Sequence, residues 1–326
     1  MTTTCQTGPL NELRPGKDVV RSLVSLLRSQ SRDGSRTLPG RLPTFLIIGG
    51  MKAGTTSLYH YVRDHPQVFM PPFKALEFFA GGAHWNRGID WYRAQFAAAP
   101  PDAVALGEAS NVYTKYPRYA DVPKRIHAYM PEARLVYVIR DPVERIRSHY
   151  QTREAEGTEH APFAEAVFEN PIYLDYSRYA HQIDQYLEYF PLEQLLVITS
   201  EGLRSTRGAT MARVYEFLGI DEAFVSPNLD RDFYETKDRA ARSPIPVWLR
   251  KSLKKHFPAA KRAKELENNL LRTLRGLRPS SEGARRQARS LAIPAELRER
   301  LVDALADDVQ RLRSLLGPEF DGWGIA

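Results

Sequence analysis

The sequence predicts an α/β fold in three layers, with a central, mainly parallel sheet and a C-terminal helical extension. Two observations carry this. Short apolar runs alternate with helical periodicity: FLIIGG precedes TTSLYHYVRDH, AVALGEA follows, LVYVIR precedes PVERIRSHYQTREA, and LLVIT precedes a segment ending MARVYEFLG. Strands buried on both faces and joined by crossover helices read this way. Late in the chain, Leu297, Leu301, Leu305, Val309, Leu312 and Leu316 recur three or four residues apart. That spacing predicts one amphipathic helix over 294–316, closed by Gly317 and Pro318 and packed back on the main body.

Residues 1–43 are polar, with Gly, Pro, Ser and Arg punctuation, and read as a tail or linker with one short helix over 19–27. A single domain then runs over 44–326, its α/β part over about 44–245, with a basic helical insertion at about 247–290. The chain has 326 residues and 43% hydrophobic residues, enough for a sizeable core. No apolar run approaches the ~18 residues of a membrane span, and no secretory leader pattern is visible, so the expectation is a soluble, cytoplasmic protein. The lone Cys5 excludes a disulfide framework within the chain and any CxxC motif.

The formal charge of +7 invites a nucleic-acid reading, but its distribution argues otherwise. Residues 1–44 hold 7 basic and 3 acidic groups, residues 251–290 hold 12 and 3, and the remainder holds 27 and 33. The body of the chain is therefore acidic, and the basic surplus is peripheral. The 251–290 segment suits contact with an anionic surface or an acidic acceptor, or is simply a solvated helical face.

The stretch FLIIGGMKAGTTSLYHYV carries the first chemical signal. A strand runs into a glycine-rich turn and then a helix, so backbone N–H groups and a helix N-terminus converge where an anionic phosphate could sit. Gly49, Gly50 and Gly54 allow close backbone approach, Lys52 adds a point charge, and Thr55, Thr56 and Ser57 add hydroxyls. The fold is thus P-loop-like, but the register is not that of a Walker A loop. There the lysine follows the last glycine, whereas Lys52 precedes Gly54 by two residues. No strand ends in a clear Walker B carboxylate, which disfavours a kinase or ATPase.

RLVYVIRDPVERIRSHYQ supplies the second signal. Asp141 is placed to cap a helix, Pro142 suits its first position, and Glu144 completes a capping-box pattern. Arg140 then stands at the end of the preceding strand, with Ser148 about two helical turns on.

These two stretches resemble the sulfotransferases that use 3′-phosphoadenosine 5′-phosphosulfate (PAPS), in the branch of the heparan sulfate N- and 3-O-sulfotransferases and their bacterial relatives. The resemblance implies that Lys52, with the loop residues Ala53, Gly54, Thr55, Thr56 and Ser57, contacts the 5′-phosphate and the transferring sulfuryl group. It implies that Arg140 and Ser148 grip the 3′-phosphate, where Arg offers a planar fork. It further implies that Lys237, Arg239 and Arg242, in DFYETKDRAARSP, close over PAPS. WNRGIDWYRAQF, GEASNVYTKYP and the closing LLGPEFDGWG also match family segments, so the likeness covers about 44–245 and 291–323. The implied activity is transfer of a sulfuryl group to a hydroxyl or amine of an acceptor such as a carbohydrate or glycolipid, with no metal required.

The match breaks at the reacting centre. The family's catalytic base is the Glu after the Lys of a KExxFF-like segment, and here that segment reads KALEFF, with Ala75 in its place. The Lys of the family's GEKS stretch is Ala109. Candidate replacement bases are Glu77, Glu108 and His84. Glu77 would share the face of Ala75 in a strand and point about 200° away in a helix. Trp85, Trp91, Tyr92, Tyr113, Tyr173 and Tyr176 are candidates to line an acceptor cleft. Two other readings stand beside this one: a P-loop nucleotide kinase or ATPase, and a catalytically weak polyanion-binding protein on the same scaffold.

Overall fold

The computed structural model describes residues 40–231, 233 and 291–325. The expected helix at 19–27, Cys5 and the basic segment at 247–290 lie outside the described residues. The strands are β1 (Phe45–Gly49), β2 (Val68–Phe69), β3 (Ala105–Ala109), β4 (Arg134–Ile139) and β5 (Leu195–Thr199). They pair in parallel in the order β2-β3-β1-β4-β5. The helices in the first half are α1 (Thr55–Arg63), α2 (Gly82–Trp85), α3 (Gly88–Ala94) and α4 (Val122–Tyr129). The second half adds α5 (Pro142–Ala155), α6 (Phe163–Glu169), α7 (Ile172–Asp175), α8 (Tyr179–Leu187), α9 (Gly202–Ser205) and α10 (Arg207–Leu218). After the basic segment come α11 (Ala295–Asp303) and α12 (Ala306–Leu316).

The apolar runs become strands because both of their faces are covered. Leu46, Ile48, Leu135, Tyr137 and Ile139 belong to one core cluster with Phe79, Ile126, Tyr179, Ile183 and Leu312. The intervening Phe45, Ile47, Val136 and Val138 belong to a second cluster with Leu58, Tyr61, Val62, Val214 and Leu218. Successive side chains of a strand point to opposite faces, so this alternation defines three layers. Helices α4, α8 and α12 cover one face, and α1 and α10 the other. The two-residue β2 carries too short an apolar run to be read from sequence.

Because β1 is central, the turn leaving it lies at the carboxyl edge of the sheet, between the ends of β3 and β4. In open parallel sheets ligands bind at such a crevice.

The C-terminal extension departs from its expected single helix over 294–316. The chain breaks at Ala304 and Leu305 into α11 and α12, since the two halves pack on different partners. Leu297, Leu301 and Leu305 join Val143, Ile146 and Tyr150 in a third cluster around α5, while Leu312 enters the cluster over α8. Asp308 of α12 then accepts from the backbone N–H groups of Ala180 (3.1 Å) and His181 (2.9 Å) in the first turn of α8. No side chain caps α8 from its own N-cap position, so its first turn is satisfied from 127 residues away.

Removing this distant cap tests its contribution. Asp308→Ala leaves two helical N–H groups without their acceptor and should cost about 1–2 kcal/mol, read as a lower urea midpoint at unchanged slope.

Candidate functional site

The turn after β1 is shaped by what packs behind it. A Cβ on Gly49 would lie 2.0 Å from Thr114 Oγ1, and one on Gly50 would lie 2.9 Å from the Val138 carbonyl. These two glycines therefore admit neighbouring strands and loops to the turn, where sequence reasoning assigned them to ligand approach. Lys52 has φ 71 and Gly54 φ 101, and this pair of left-handed residues folds the chain back into α1. Gly54 offers α1 no side-chain cap, and an N-terminus of that kind favours an anion. Ala53 is fully buried against the core.

A lysine that sequence reasoning left out of the site completes this turn. Lys74 Nζ donates to Thr55 Oγ1 and Thr56 Oγ1, both at 2.9 Å. Burial pushes its pKa down to about 7, because charging the amine there forfeits hydration. The signal for it was its position in KALEFF, directly before Ala75, where the resemblance implies a base. Ser57, expected at the same loop, instead accepts from the Phe233 N–H at 3.4 Å.

The second motif meets the first. Arg140 leaves the end of β4 and its Nη1 donates to the Lys52 carbonyl at 3.3 Å, while Nη2 lies 3.6 Å from Glu144. Its pKa is lowered, first by burial and then by Arg204. Asp141 caps α5 as expected, accepting from Val143 and Glu144 N–H at 2.8 and 3.0 Å. The expected capping box does not close. Asp141 N–H donates to Glu201 Oε1 at 3.2 Å, and Glu144 pairs with Arg140 and Arg147 instead, since two nearby guanidinium groups outbid one neutral N–H for a carboxylate. Ser148 is buried on α5. The remaining expected contacts, Lys237, Arg239 and Arg242, lie outside the described residues.

Within the KALEFF segment residues 74–77 are neither strand nor helix, and a single 3-10 turn begins at Phe78. Ala75 has φ 64 and Glu77 φ 54, so neither geometry weighed for Glu77 from sequence applies. The turn is tied to the end of β3 by the Ala75 N–H, which donates to the Ala109 carbonyl at 2.9 Å. His84 Nδ1 lies 2.6 Å from the Leu76 carbonyl and so carries the proton; that nitrogen is spent on backbone. Glu108 is 2% exposed, takes hydrogen bonds from Tyr113 (2.5 Å) and Ser110 (3.3 Å), and is pushed up to about 7 by burial, against those hydroxyls.

Ala109 is buried in the core, but another cation stands nearby. Lys115 is pushed down to about 8 by burial, with Glu77 opposing the shift, and its Nζ lies 5.9 Å from the Tyr176 ring centroid. Its neighbours hold it in place. Thr114 Oγ1 donates to the Ile48 carbonyl at 3.3 Å, and the Tyr116 backbone exchanges two hydrogen bonds with the Gln182 amide (2.8 and 3.0 Å). The expected aromatic lining is largely core: Tyr92, Tyr113 and Tyr173 are buried, and Trp85 and Trp91 lean on Phe78. Among the described residues no group of three or more His, Cys, Asp or Glu gathers as a metal site would require.

The site is thus a cationic rim, Lys52 with the desolvated Lys74, Lys115 and Arg140, at the carboxyl ends of β3, β1 and β4, with Glu77 beside it. The sequence profile of the family described as "Sulfotransferase domain" matches residues 42–244. The bifunctional heparan sulfate N-deacetylase/N-sulfotransferase 2 of Homo sapiens is 30% identical over 203 residues, which cover 55% of this chain and 22% of that protein. The chain therefore spans less than a quarter of that relative's length. Heparan sulfate glucosamine 3-O-sulfotransferase 6 of Homo sapiens is 27% identical over 300 residues, covering 88% of this chain and 75% of the relative. The crystal structure of a sulfotransferase from Alicyclobacillus acidocaldarius shares the fold, with a TM-score of 0.61 at 23% identity over 87% of this chain and 99% of that one.

Lys74 yields a stability test independent of any ligand. A lysine whose folded pKa lies near 7 against 10.5 when unfolded costs stability progressively as pH falls from 10.5 to 7. Lys74→Met removes that dependence, so its melting temperature relative to the unsubstituted protein should be most favourable at pH 7 and below. The difference should decline steadily as pH is raised through that window, as calorimetric melts across it would show.

Proposed function

The chain belongs to the sulfotransferase domain family, and on that premise we propose that it transfers a sulfuryl group from PAPS to a hydroxyl or amine of a carbohydrate acceptor. The observation that carries the reading is the Arg140 guanidinium on the Lys52 carbonyl, with Lys74 on the far side of the same turn. A nucleotide phosphorylated at both 5′ and 3′ positions presents two anions, and two groups of cations at the ends of β1 and β4 are the donor set it needs. PAPS would supply an activated sulfuryl group on its 5′-phosphate.

The residues of this chain then divide the work. Lys52, Lys74 and the N–H groups opening α1 hold the 5′-phosphate and offset the negative charge that grows there as the sulfuryl group departs, an effect strongest in a desolvated site. Arg140 and Ser148 hold the 3′-phosphate, and Lys237, Arg239 and Arg242 close over the nucleotide. Glu77 takes the acceptor proton, while Lys115, whose charged form the neighbouring Glu77 favours, steadies charge on the acceptor side. The relatives named for heparan sulfate support the choice of a carbohydrate acceptor. The single cysteine of the chain suits the cytoplasmic setting that this reading includes.

Two substitutions separate donor from acceptor roles. With radiolabelled PAPS and desulfated heparan sulfate as probe acceptor, Lys52→Ala should reduce turnover by about 100-fold or more. Glu77→Gln should lower kcat by about 100-fold or more while leaving the calorimetric affinity for 3′-phosphoadenosine 5′-phosphate (PAP) within about twofold. An unchanged kcat in Glu77→Gln would remove Glu77 as the base.

A further inference from the structure

Glu108 has no part in the chemistry above, yet its contacts are specific. Tyr113 Oη donates to its Oε1 at 2.5 Å and Ser110 Oγ to its Oε2 at 3.3 Å. A hydroxyl has one proton to give and lone pairs to offer. With both protons directed at the carboxylate, each hydroxyl presents its lone pairs elsewhere, and each meets a backbone N–H of the same turn. Glu77 N–H donates to Ser110 Oγ at 3.0 Å, and Phe79 N–H donates to Tyr113 Oη at 3.3 Å.

The stretch fastened in this way is the one that most needs it. Glu77 sits at φ 54 and Ala75 at φ 64, conformations that residues with a Cβ keep only where the surroundings impose them. Directly after Glu77, the turn Phe78–Ala80 carries Phe78 and Phe79 into the core.

We propose that Glu108 is a positioning residue: one carboxylate orients two hydroxyls, and these fix the turn that presents Glu77 to the acceptor. The proposal rests on the reading of Glu77 as base. It assigns Glu108 no contact with substrate.

The same geometry gives the arrangement a dependence on pH. The groups facing Glu108 are Ser110 and Tyr113 beside it, the buried Tyr92 from α3, and the charge of Glu77. Burial and the Glu77 charge both raise its pKa, to about 7. A protonated Glu108 has one oxygen turned donor, so one hydroxyl loses its acceptor and can swing its proton towards the turn. Activity should therefore fall as pH drops through about 7, and this limb belongs to Glu108.

The variants Ser110→Ala, Ser110→Thr, Tyr113→Phe and Glu108→Gln test this with three readouts on the full chain. The first is amide hydrogen exchange over residues 74–81 with no acceptor present. The second is PAP affinity by calorimetry, and the third is turnover with radiolabelled PAPS and desulfated heparan sulfate. Ser110→Ala should speed exchange at Glu77, Tyr113→Phe at Phe79, and Glu108→Gln at whichever of the two loses its acceptor to the new NH2, each by about tenfold or more. In all three kcat should fall by about 10–100-fold with PAP affinity within about twofold. Ser110→Thr, which keeps the hydroxyl, should recover both exchange protection and kcat. Glu108→Gln should also lose the acid limb near pH 7. Unchanged exchange at Glu77 and Phe79 in Glu108→Gln would overturn the proposal, as would a loss of kcat in that variant with exchange unaltered. If the unsubstituted protein binds PAP and transfers nothing to the probe, the acceptor reading fails, and the exchange data alone decide the positioning role.

Discussion

Burial of positive charge with little anionic compensation is the constraint around which this site is built. Lys74 rests on two neutral hydroxyls and Arg140 on a carbonyl, with only a 3.6 Å approach to Glu144. Such groups lose hydration and regain little of it from the protein, which is why both pKa values are lowered. An anion placed among them would restore what burial removes. The central strand β1 makes this possible, because the turn it feeds is flanked by the ends of β3 and β4.

The acceptor side follows a different logic. There the carboxylate proposed as base, Glu77, is placed by neutral groups: Ser110 and Tyr113 hold the turn, His84 holds the Leu76 carbonyl, and Ala75 is hooked to the end of β3. Ala75 and Glu77 are both left-handed, so the turn curls where an extended strand would have carried the Glu77 side chain past, and this is what lets the proposed base sit at 77. Lys115, between two anchored residues, brings a positive charge into the field of Glu77.

The strands and crossover helices were legible in the sequence because burial on both faces produces apolar runs that little else imitates. Lys52 and Arg140 were legible because each sits at a strand-to-helix junction with its own motif. Lys74 and Lys115 were not, since each owes its environment to tertiary packing: Lys74 to hydroxyls 18 and 19 residues earlier, Lys115 to Thr114 and Tyr116 being pinned to β1 and α8. The break between α11 and α12 was hidden for a similar reason. The spacing of the leucines runs unbroken through Leu305, and only the separate packing of α11 on α5 and α12 on α8 divides it. The tyrosines expected at an acceptor cleft show the converse error, because periodicity cannot tell a ring that faces a ligand from one that fills the core.

The proposed division of labour has Arg140 reading a 3′-phosphate while Lys52 and Lys74 read a 5′-phosphate. Its most direct test is a calorimetric cycle of PAP and adenosine 5′-phosphate against the unsubstituted protein and Arg140→Met. A strong preference for PAP should collapse in Arg140→Met, with adenosine 5′-phosphate binding nearly unchanged. Equal loss of affinity for both ligands, or tighter binding of ATP with Mg²⁺ than of PAP by the unsubstituted protein, would contradict it.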